Sequence, residues 1–242
     1  LKGQSFLIDT HVHTSEVSSC GKVSAGEMVR YYKDAGYQGI IITDHYYDGY
    51  FELLGDQPWE AKVQKFLSGY RAALEEGKRL GLNVMLGMEL RFHDGVEDYL
   101  VYGIDEDFLV ENPELYRYTL ESFKKLIHHH NILIFQAHPF RAGMRPADPA
   151  FLHGVEVFNG NPRHDSHNDL AYEFATQNGL FMIAGSDAHQ PQDVGRAGIC
   201  LPYPICSARE LVEYYREFKQ VEIVVNCEGT GEVKVFSGRA NC

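Results

Sequence analysis

The residues able to do chemistry in this 242-residue chain fall in five short clusters, each following an apolar run. Asp9-Thr-His11-Val-His13 comes first, followed by Thr43-Asp44-His45, Gly87-Met88-Glu89, Ala137-His138-Pro139 and Gly185-Ser-Asp187-Ala-His189. Residues two apart in an extended segment point to one side, so His11 and His13 present two imidazoles together. Burying five unrelated sets of ionisable groups is costly, and shared metal ligation removes that cost. Imidazole nitrogens mixed with carboxylate oxygens suit Zn, Mn or Fe better than Mg or Ca. The candidate ligands exceed the four of a tetrahedral site, so two or three divalent ions are expected. Glu89, with two oxygens to share, is the natural bridge. Cations about 3.5–4 Å apart clamp the attacking and leaving oxygens of a phosphate displacement and lower the pKa of a bound water toward about 7. The expected nucleophile is therefore a metal-bound hydroxide.

These clusters need strands to hold them. Apolar runs predict strands over 6–12, 39–43, 83–88, 99–104, 132–136, 154–158 and 181–184, and a further strand over 221–226. Helical patterns predict helices over 58–80, 113–129, 169–177 and 208–219. Ser24-Ala-Gly-Glu27 reads as a capping box, with Met28, Tyr32 and Ala35 on one face behind it and Gly36 as the stop. The alternation favours a parallel sheet with helical crossovers in an α/β chain, and each polar cluster sits at the carboxyl end of its strand, where barrel enzymes build active sites. A doubly wound open sheet gives a similar pattern, so periodicity alone does not close a barrel. Neither GxGxxG nor GxxxxGK[ST] occurs.

Composition narrows the function classes. With 44% hydrophobic and 23% charged residues and no internal repeat or linker, residues 1–242 read as a single domain. Acids outnumber bases 34 to 22, a net charge of -12, which makes nucleic acid an unlikely partner but leaves a small phosphorylated substrate open. Cys20, Cys200, Cys206, Cys227 and Cys242 form no CxxC pair and leave one odd, as expected in a reducing cytoplasm. No apolar run reaches the roughly 20 residues of a membrane helix, and 1–4 build no signal peptide. A cytoplasmic location is the expectation.

In this order, DTHVH, TDH, GME, AHP and GSDAH, spanning Asp9 to His189, resemble the polymerase-and-histidinol-phosphatase (PHP) superfamily. The resemblance implies a distorted, TIM-like (β/α)7 barrel whose trinuclear metal centre hydrolyses phosphate esters. By position it implies that His11, His13, Glu89 and Asp187 bind one ion, His45 and His189 a second, and Glu89 with His138 a third. Asp9 and Asp44 would orient the imidazoles. Two positions depart from the family pattern. Where an Asp or His usually precedes a Gly, this chain has Ser18-Ser-Cys20-Gly21, so Cys20 is either a substitute thiolate ligand or a small buried thiol, with Ser18 and Ser19 capping a turn. Where a His commonly follows GME, it has Glu97-Asp98-Tyr99-Leu100, so Asp98 is either a substitute ligand or an exposed acid. If both fail, the centre holds two ions.

Glu89, Asp187 and His189 are the candidate catalytic groups, and Arg141, three residues past His138, is placed to meet a phosphate oxygen with its planar fork. Lys22, Arg163 and Asn159 are further candidate substrate contacts. His128, His129 and His130 close a helix, and His93, His153, His164 and His167 read as surface residues near loops. The expected function is hydrolysis of a small phosphorylated metabolite, a phosphomonoester or nucleotide. Amidohydrolase barrels, which act on amides or cyclic esters, also open with HxH. They usually add a bridging Lys on strand four and a His ending strand six, where this chain has Asp98 and Asn159. A non-catalytic metal-bearing accessory module is the third alternative. Substrate identity and oligomeric state stay open.

Overall fold

The computed structural model describes residues 6–227 and 232–239, with side chains through 226. Strand β1 (Phe6–Val12) leads into helix α1 (Ala25–Asp34), β2 (Gly39–Ile42) and the two-residue β3 (His45–Tyr46). Helices α2 (Asp48–Leu53), α3 (Trp59–Phe66) and α4 (Ser68–Leu80) precede β4 (Asn83–Arg91) and β5 (Asp98–Tyr102). Then come α5 (Glu106–Glu111), α6 (Leu120–Leu126), β6 (Leu133–Gln136), β7 (Gly154–Asn159), α7 (Asn168–Asn178) and β8 (Phe181–Gly185). Strand β9 (Ala197–Leu201), helix α8 (Ala208–Phe218), β10 (Gln220–Cys227) and β11 (Glu232–Arg239) follow.

The sheet runs in the order β11-β10-β9-β1-β2-β4-β5-β6-β7-β8, with β3 paired to β4. All seven expected barrel strands are present, and they curl until β8 meets the end of β1. There Val12 bridges Ala188, His13 N–H donates to the Ala188 carbonyl at 3.0 Å, and the Thr10 hydroxyl donates to the Ala184 carbonyl at 2.9 Å. The start of β1 pairs with β9 instead, through Phe6, Leu7 and Ile8. The result is a single mixed α/β domain around a nearly closed barrel. Ile40, Ile41 and Ile42 of β2 are buried on both faces, as a barrel strand covered by helices requires.

The structure corrects the all-parallel expectation. β5 runs antiparallel to both β4 and β6. Only six residues, 92–97, join β4 to β5, too few for the crossover that a parallel pair needs. The inversion puts the first residue of β5, Asp98, at the mouth where the neighbouring strands finish.

The expected helix over 58–80 is two helices broken at Leu67. The Ser68 hydroxyl donates to the Lys65 carbonyl at 2.7 Å, a local side-chain bond that competes with helix continuation. The break brings Gly69 against the barrel mouth, where a Cβ would lie 2.1 Å from Thr14 Oγ1 and 2.7 Å from Asp44 Oδ2. The helix expected over 113–129 is shortened to α6, with a tight 3-10 turn on either side and Thr119 capping its start. Helix α1 keeps its Ser24–Glu27 capping box and buries Met28, Val29 and Tyr32. Strands β3, β9 and β11 and helices α2 and α5 lie outside the elements the sequence predicts.

Candidate metal centre

Strand ends converge at one mouth of the barrel. Glu89, on β4, lies at the middle of the cluster and is 1% exposed. Its Oε1 is 3.2 Å from His138 Nε2 and 3.4 Å from His11 Nε2. Its Oε2 is 2.8 Å from His45 Nδ1 and 3.4 Å from His13 Nε2. Asp187 Oδ1 lies 3.5 Å from His11 Nε2 and 3.3 Å from His13 Nε2 and from His189 Nδ1. His138 and Asp187 both have left-handed backbones, φ +30° and +50°, a strain that non-glycine residues hold only where the surroundings enforce it.

These side chains fit cations better than they fit one another. His11 Nε2, His13 Nε2, His138 Nδ1 and His164 Nε2 are buried without a hydrogen-bond partner. Each such atom costs about 1–3 kcal/mol. Ligand atoms of His11, His13 and Glu89 lie within 4.8 Å of one another, as do those of His13, His45 and His189, and of His45, Glu89 and Asp98. A nitrogen-and-carboxylate donor set of this kind suits divalent transition metals.

Charge is balanced inside the cluster. Burial opposes the ionised Glu89, but His45 and His11 hold it well below the usual carboxylate range. Asp187, also opposed by burial, is held low by His11, His13 and His164. Burial pushes the His11 imidazole down, yet Glu156, Asp187 and Glu89 leave it well above its ordinary value. His13 goes the other way, driven down by burial and by His189 and His45, so its nitrogen lone pair stays free to ligate.

Neither acid expected to orient the imidazoles does so directly. Asp9 accepts from the backbone N–H of His11 and Ser186 and from the Tyr32 hydroxyl, at 3.1, 3.0 and 2.8 Å, and touches no imidazole. Asp44 acts at one remove, because its carboxylate accepts from the hydroxyls of Ser18 and Thr14, and the Ser18 hydroxyl lies 3.2 Å from His13 Nδ1. Ser18 thus does more than cap a turn. Glu156 carries the direct contact to His11, with Oε1 2.8 Å from its Nδ1, while Oε2 accepts from His138 N–H at 3.0 Å. The sequence reading passed over Glu156, although an acid inside the apolar run 154–158 was its signal.

Asp98 is buried, not exposed, and lies near His45 and Glu89, but Arg91 holds both its oxygens at 2.8 Å. Cys20 Sγ lies 3.2 Å from His45 Nε2. Burial would raise the Cys20 thiol, but hydrogen bonds with His189 and His45 bring it down to about 6.

A cavity of about 520 Å³ opens above the cluster, with Lys22, Arg91, Arg141 and Arg163 among its lining residues. Arg163 is turned onto Asp193 at 2.6 and 2.7 Å, whereas no described residue pairs with the guanidinium of Arg141. Lys22 is exposed, and its backbone N–H donates to the His189 carbonyl at 2.7 Å. Asn159 does not line the cavity. It is buried and gives its amide to Glu156 at 2.9 Å and Asp187 at 3.3 Å. Asn161 adds a second amide to Asp187 Oδ2 at 3.3 Å. His164 is not a plain surface residue, since its Nε2 faces Asp187 Oδ2 at 3.5 Å. His153 is also partly buried, its Nδ1 accepting from Ile134 N–H at 3.0 Å.

The fold is a nearly closed α/β barrel, and comparison with known proteins bears out the resemblance to the PHP superfamily. The family model described as PHP-associated matches residues 165–219. The probable histidinol-phosphatase of Deinococcus radiodurans is 26% identical over 244 aligned positions, covering 78% of this chain and 88% of that protein. Among solved structures, a Bacteroides vulgatus two-domain protein containing a predicted PHP-like metal-dependent phosphoesterase superposes with a TM-score of 0.61 at 18% identity, over 92% of this chain and 65% of that one. An amidohydrolase from Chromobacterium violaceum, solved with bound sulfate and no metal, matches with a TM-score of 0.54 at 16% identity, over 91% and 98%. At these identities the two structures speak for the fold alone. No helix among the described residues is long and apolar enough to cross a membrane.

Proposed function

We propose that this chain is a metal-dependent phosphoesterase acting on a small phosphorylated metabolite, a phosphomonoester or nucleotide. The observation that carries the reading is the set of buried, unpartnered donor atoms lying beneath a cavity lined by cations in a strongly acidic protein. His11, His13 and Asp187 would hold one divalent ion with Glu89, His45 and His189 a second, and His138 with Glu89 a third. Glu89 suits a bridge because its two oxygens face different imidazoles, Oε1 toward His138 and Oε2 toward His45. Zn, Mn or Fe bound there would supply Lewis acidity and a water of lowered pKa.

The chain's own groups do the rest. Arg141 binds phosphate oxygens through its unpaired fork, and Lys22 adds a mobile positive charge. Arg163 is committed to Asp193 and helps shape the rim. Asn159 and Asn161 hold Asp187, and Glu156 with Asn159 fixes the wall behind His11. His189, at the cavity edge, serves the second ion, since its Nδ1 is held by the Asp187 carbonyl at 2.9 Å and only Nε2 is left to ligate. With Asp98 tied to Arg91, the centre fits two ions as well as three. A cytoplasmic site of action belongs to the same reading, supported by the thiols of Cys20 and Cys206. An amidohydrolase-type centre would need a bridging Lys on the fourth barrel strand, where β5 presents Asp98.

The test is hydrolysis of para-nitrophenyl phosphate and of a panel of phosphorylated metabolites with Mn or Zn, beside amide and lactone substrates. Turnover of phosphate esters, abolished by chelator and lowered by orders of magnitude in His11→Ala and Asp187→Ala, is the expected result. Turnover of amides or lactones alone, or full activity in either variant, would overturn the reading.

A further inference from the structure

Cys20 stands in a loop that the fold fixes at both ends. On one side the Ser18 hydroxyl is tied to Asp44 at 2.7 Å and accepts from His45 N–H at 3.1 Å. On the other, Gly21 N–H donates to the Ser18 carbonyl at 2.8 Å, and Lys22 N–H is bound to the His189 carbonyl. Gly21 packs so closely that a Cβ would come within 3.0 Å of backbone atoms of Thr14 and Ser18. The thiol between these anchors is thereby held against the two imidazoles whose own loops secure it. His45 has its Nδ1 on Glu89, which turns Nε2 toward Cys20 Sγ at 3.2 Å. His189 lines the same cavity as Cys20 and His45, its ring centroid 6.0 Å from that of His45.

The thiol is not alone in pointing to a ligand. His13, fully buried, aims its unpartnered Nε2 into the same group, its ring 4.5 Å from that of His45 and 4.2 Å from that of His189, centroid to centroid. Ligand atoms of His13, His45 and His189 come within 4.8 Å of one another. Sulfur therefore joins an imidazole cluster whose rings also meet the carboxylates Glu89 and Asp187.

We infer that Cys20, His45 and His189 form a mixed thiolate–imidazole site that selects a borderline or soft divalent cation, of the Zn, Co or Fe class, over Mn or Mg. The inference rests on the metal-centre reading above and deepens it by naming the cation class at one position. Binding breaks the S–H bond and forms a sulfur–metal bond, with the proton released to water. Thiolate is a poor ligand for hard cations, which prefer oxygen, and a good one for zinc-like ions.

The test is titration of chelator-stripped protein with Co2+, followed by absorption spectroscopy. A thiolate-to-cobalt charge-transfer band in the near ultraviolet is expected, together with visible ligand-field bands. Cys20→Ser should lose the charge-transfer band, keep ligand-field bands from the remaining ions, and lose about 10-fold in its preference for Zn over Mn. Because Cys20 is exposed, the variant should melt like wild type in circular dichroism. Zn should protect Cys20 from iodoacetamide in the wild-type protein, with the modified residue located by peptide mass mapping. Cobalt binding with ligand-field bands but no charge-transfer band, or a band that survives in Cys20→Ser, would overturn the Cys20 site while leaving the metal centre standing. Failure of wild-type protein to take up cobalt at all would overturn the metal centre itself.

Discussion

Replacing Glu156 by Gln changes almost no volume, yet it should loosen the metal centre. The wild-type carboxylate accepts on both sides, from His11 Nδ1 at 2.8 Å through one oxygen and from His138 N–H and the Asn159 amide at 3.0 and 2.9 Å through the other. A glutamine has one acceptor and one donor. If its oxygen stays on His11, its amide group confronts two donors, and Asn159 cannot turn to help because its own Oδ1 accepts from Asn161 N–H at 3.0 Å. Two mismatched buried groups cost about 1–3 kcal/mol each. If the amide flips, it donates to His11 Nδ1 and moves that proton to Nε2, covering the lone pair aimed at Glu89 and Asp187. Either outcome should weaken metal binding about 10- to 100-fold, the usual effect of losing such a partner and equal to roughly 1.4–2.8 kcal/mol. Zinc affinity measured by chelator competition is the assay, with activity followed at limiting and saturating metal. Weakened binding, with activity partly restored at high metal, is the expected result. Zinc affinity within twofold of wild type in a folded Glu156→Gln would refute the reasoning.

Further outcomes follow from other parts of the structure. Arg141→Ala should raise KM for a phosphate ester roughly 10- to 100-fold, the value of about 1.5–3 kcal/mol for a charge-assisted hydrogen bond, without loss of bound metal in elemental analysis. Gly69→Ala should lower stability by about 1–3 kcal/mol, read from chemical denaturation, since its Cβ would press on Thr14 and Asp44. His153 carries a pH effect. Burial, with Lys124 nearby, lowers its folded pKa to about 3, so the unfolded chain takes up a proton first as pH falls. Its contribution to stability is complete above about pH 6.5 and is lost toward pH 3. His153→Asn, which keeps an acceptor for Ile134 N–H, should therefore show a shallower fall of Tm between pH 6.5 and 4, and an unchanged acid limb would count against this assignment.

What the sequence disclosed and what it hid divide along a physical line. The seven barrel strands are local signals, as are the His, Asp and Glu residues that end five of them, and both are readable without knowing what packs against them. The direction of β5 is set by a six-residue connection and not by anything inside the strand. That inversion brings Asp98 opposite Arg91 in the β4–β5 register, so an acid that looked free for a metal is held by an arginine seven positions earlier. The break between α3 and α4 brings Gly69 close to Asp44, a tertiary contact that helical periodicity does not carry. Glu156 and Asn159 show the same limit inside the site. The side chains that orient His11 and Asp187 come from β7, about 145 residues beyond His11, and only the assembled barrel reveals the pairing.

Anomalous diffraction from crystals grown with Zn or Mn, collected at the absorption edge of the added metal, bears most directly on whether these donors share cations. Peaks within bonding distance of His11 Nε2, His13 Nε2 and the two oxygens of Glu89 are predicted, with Asp187 alongside. Full-occupancy metal bound only at surface side chains, with none among these donors, would contradict the account.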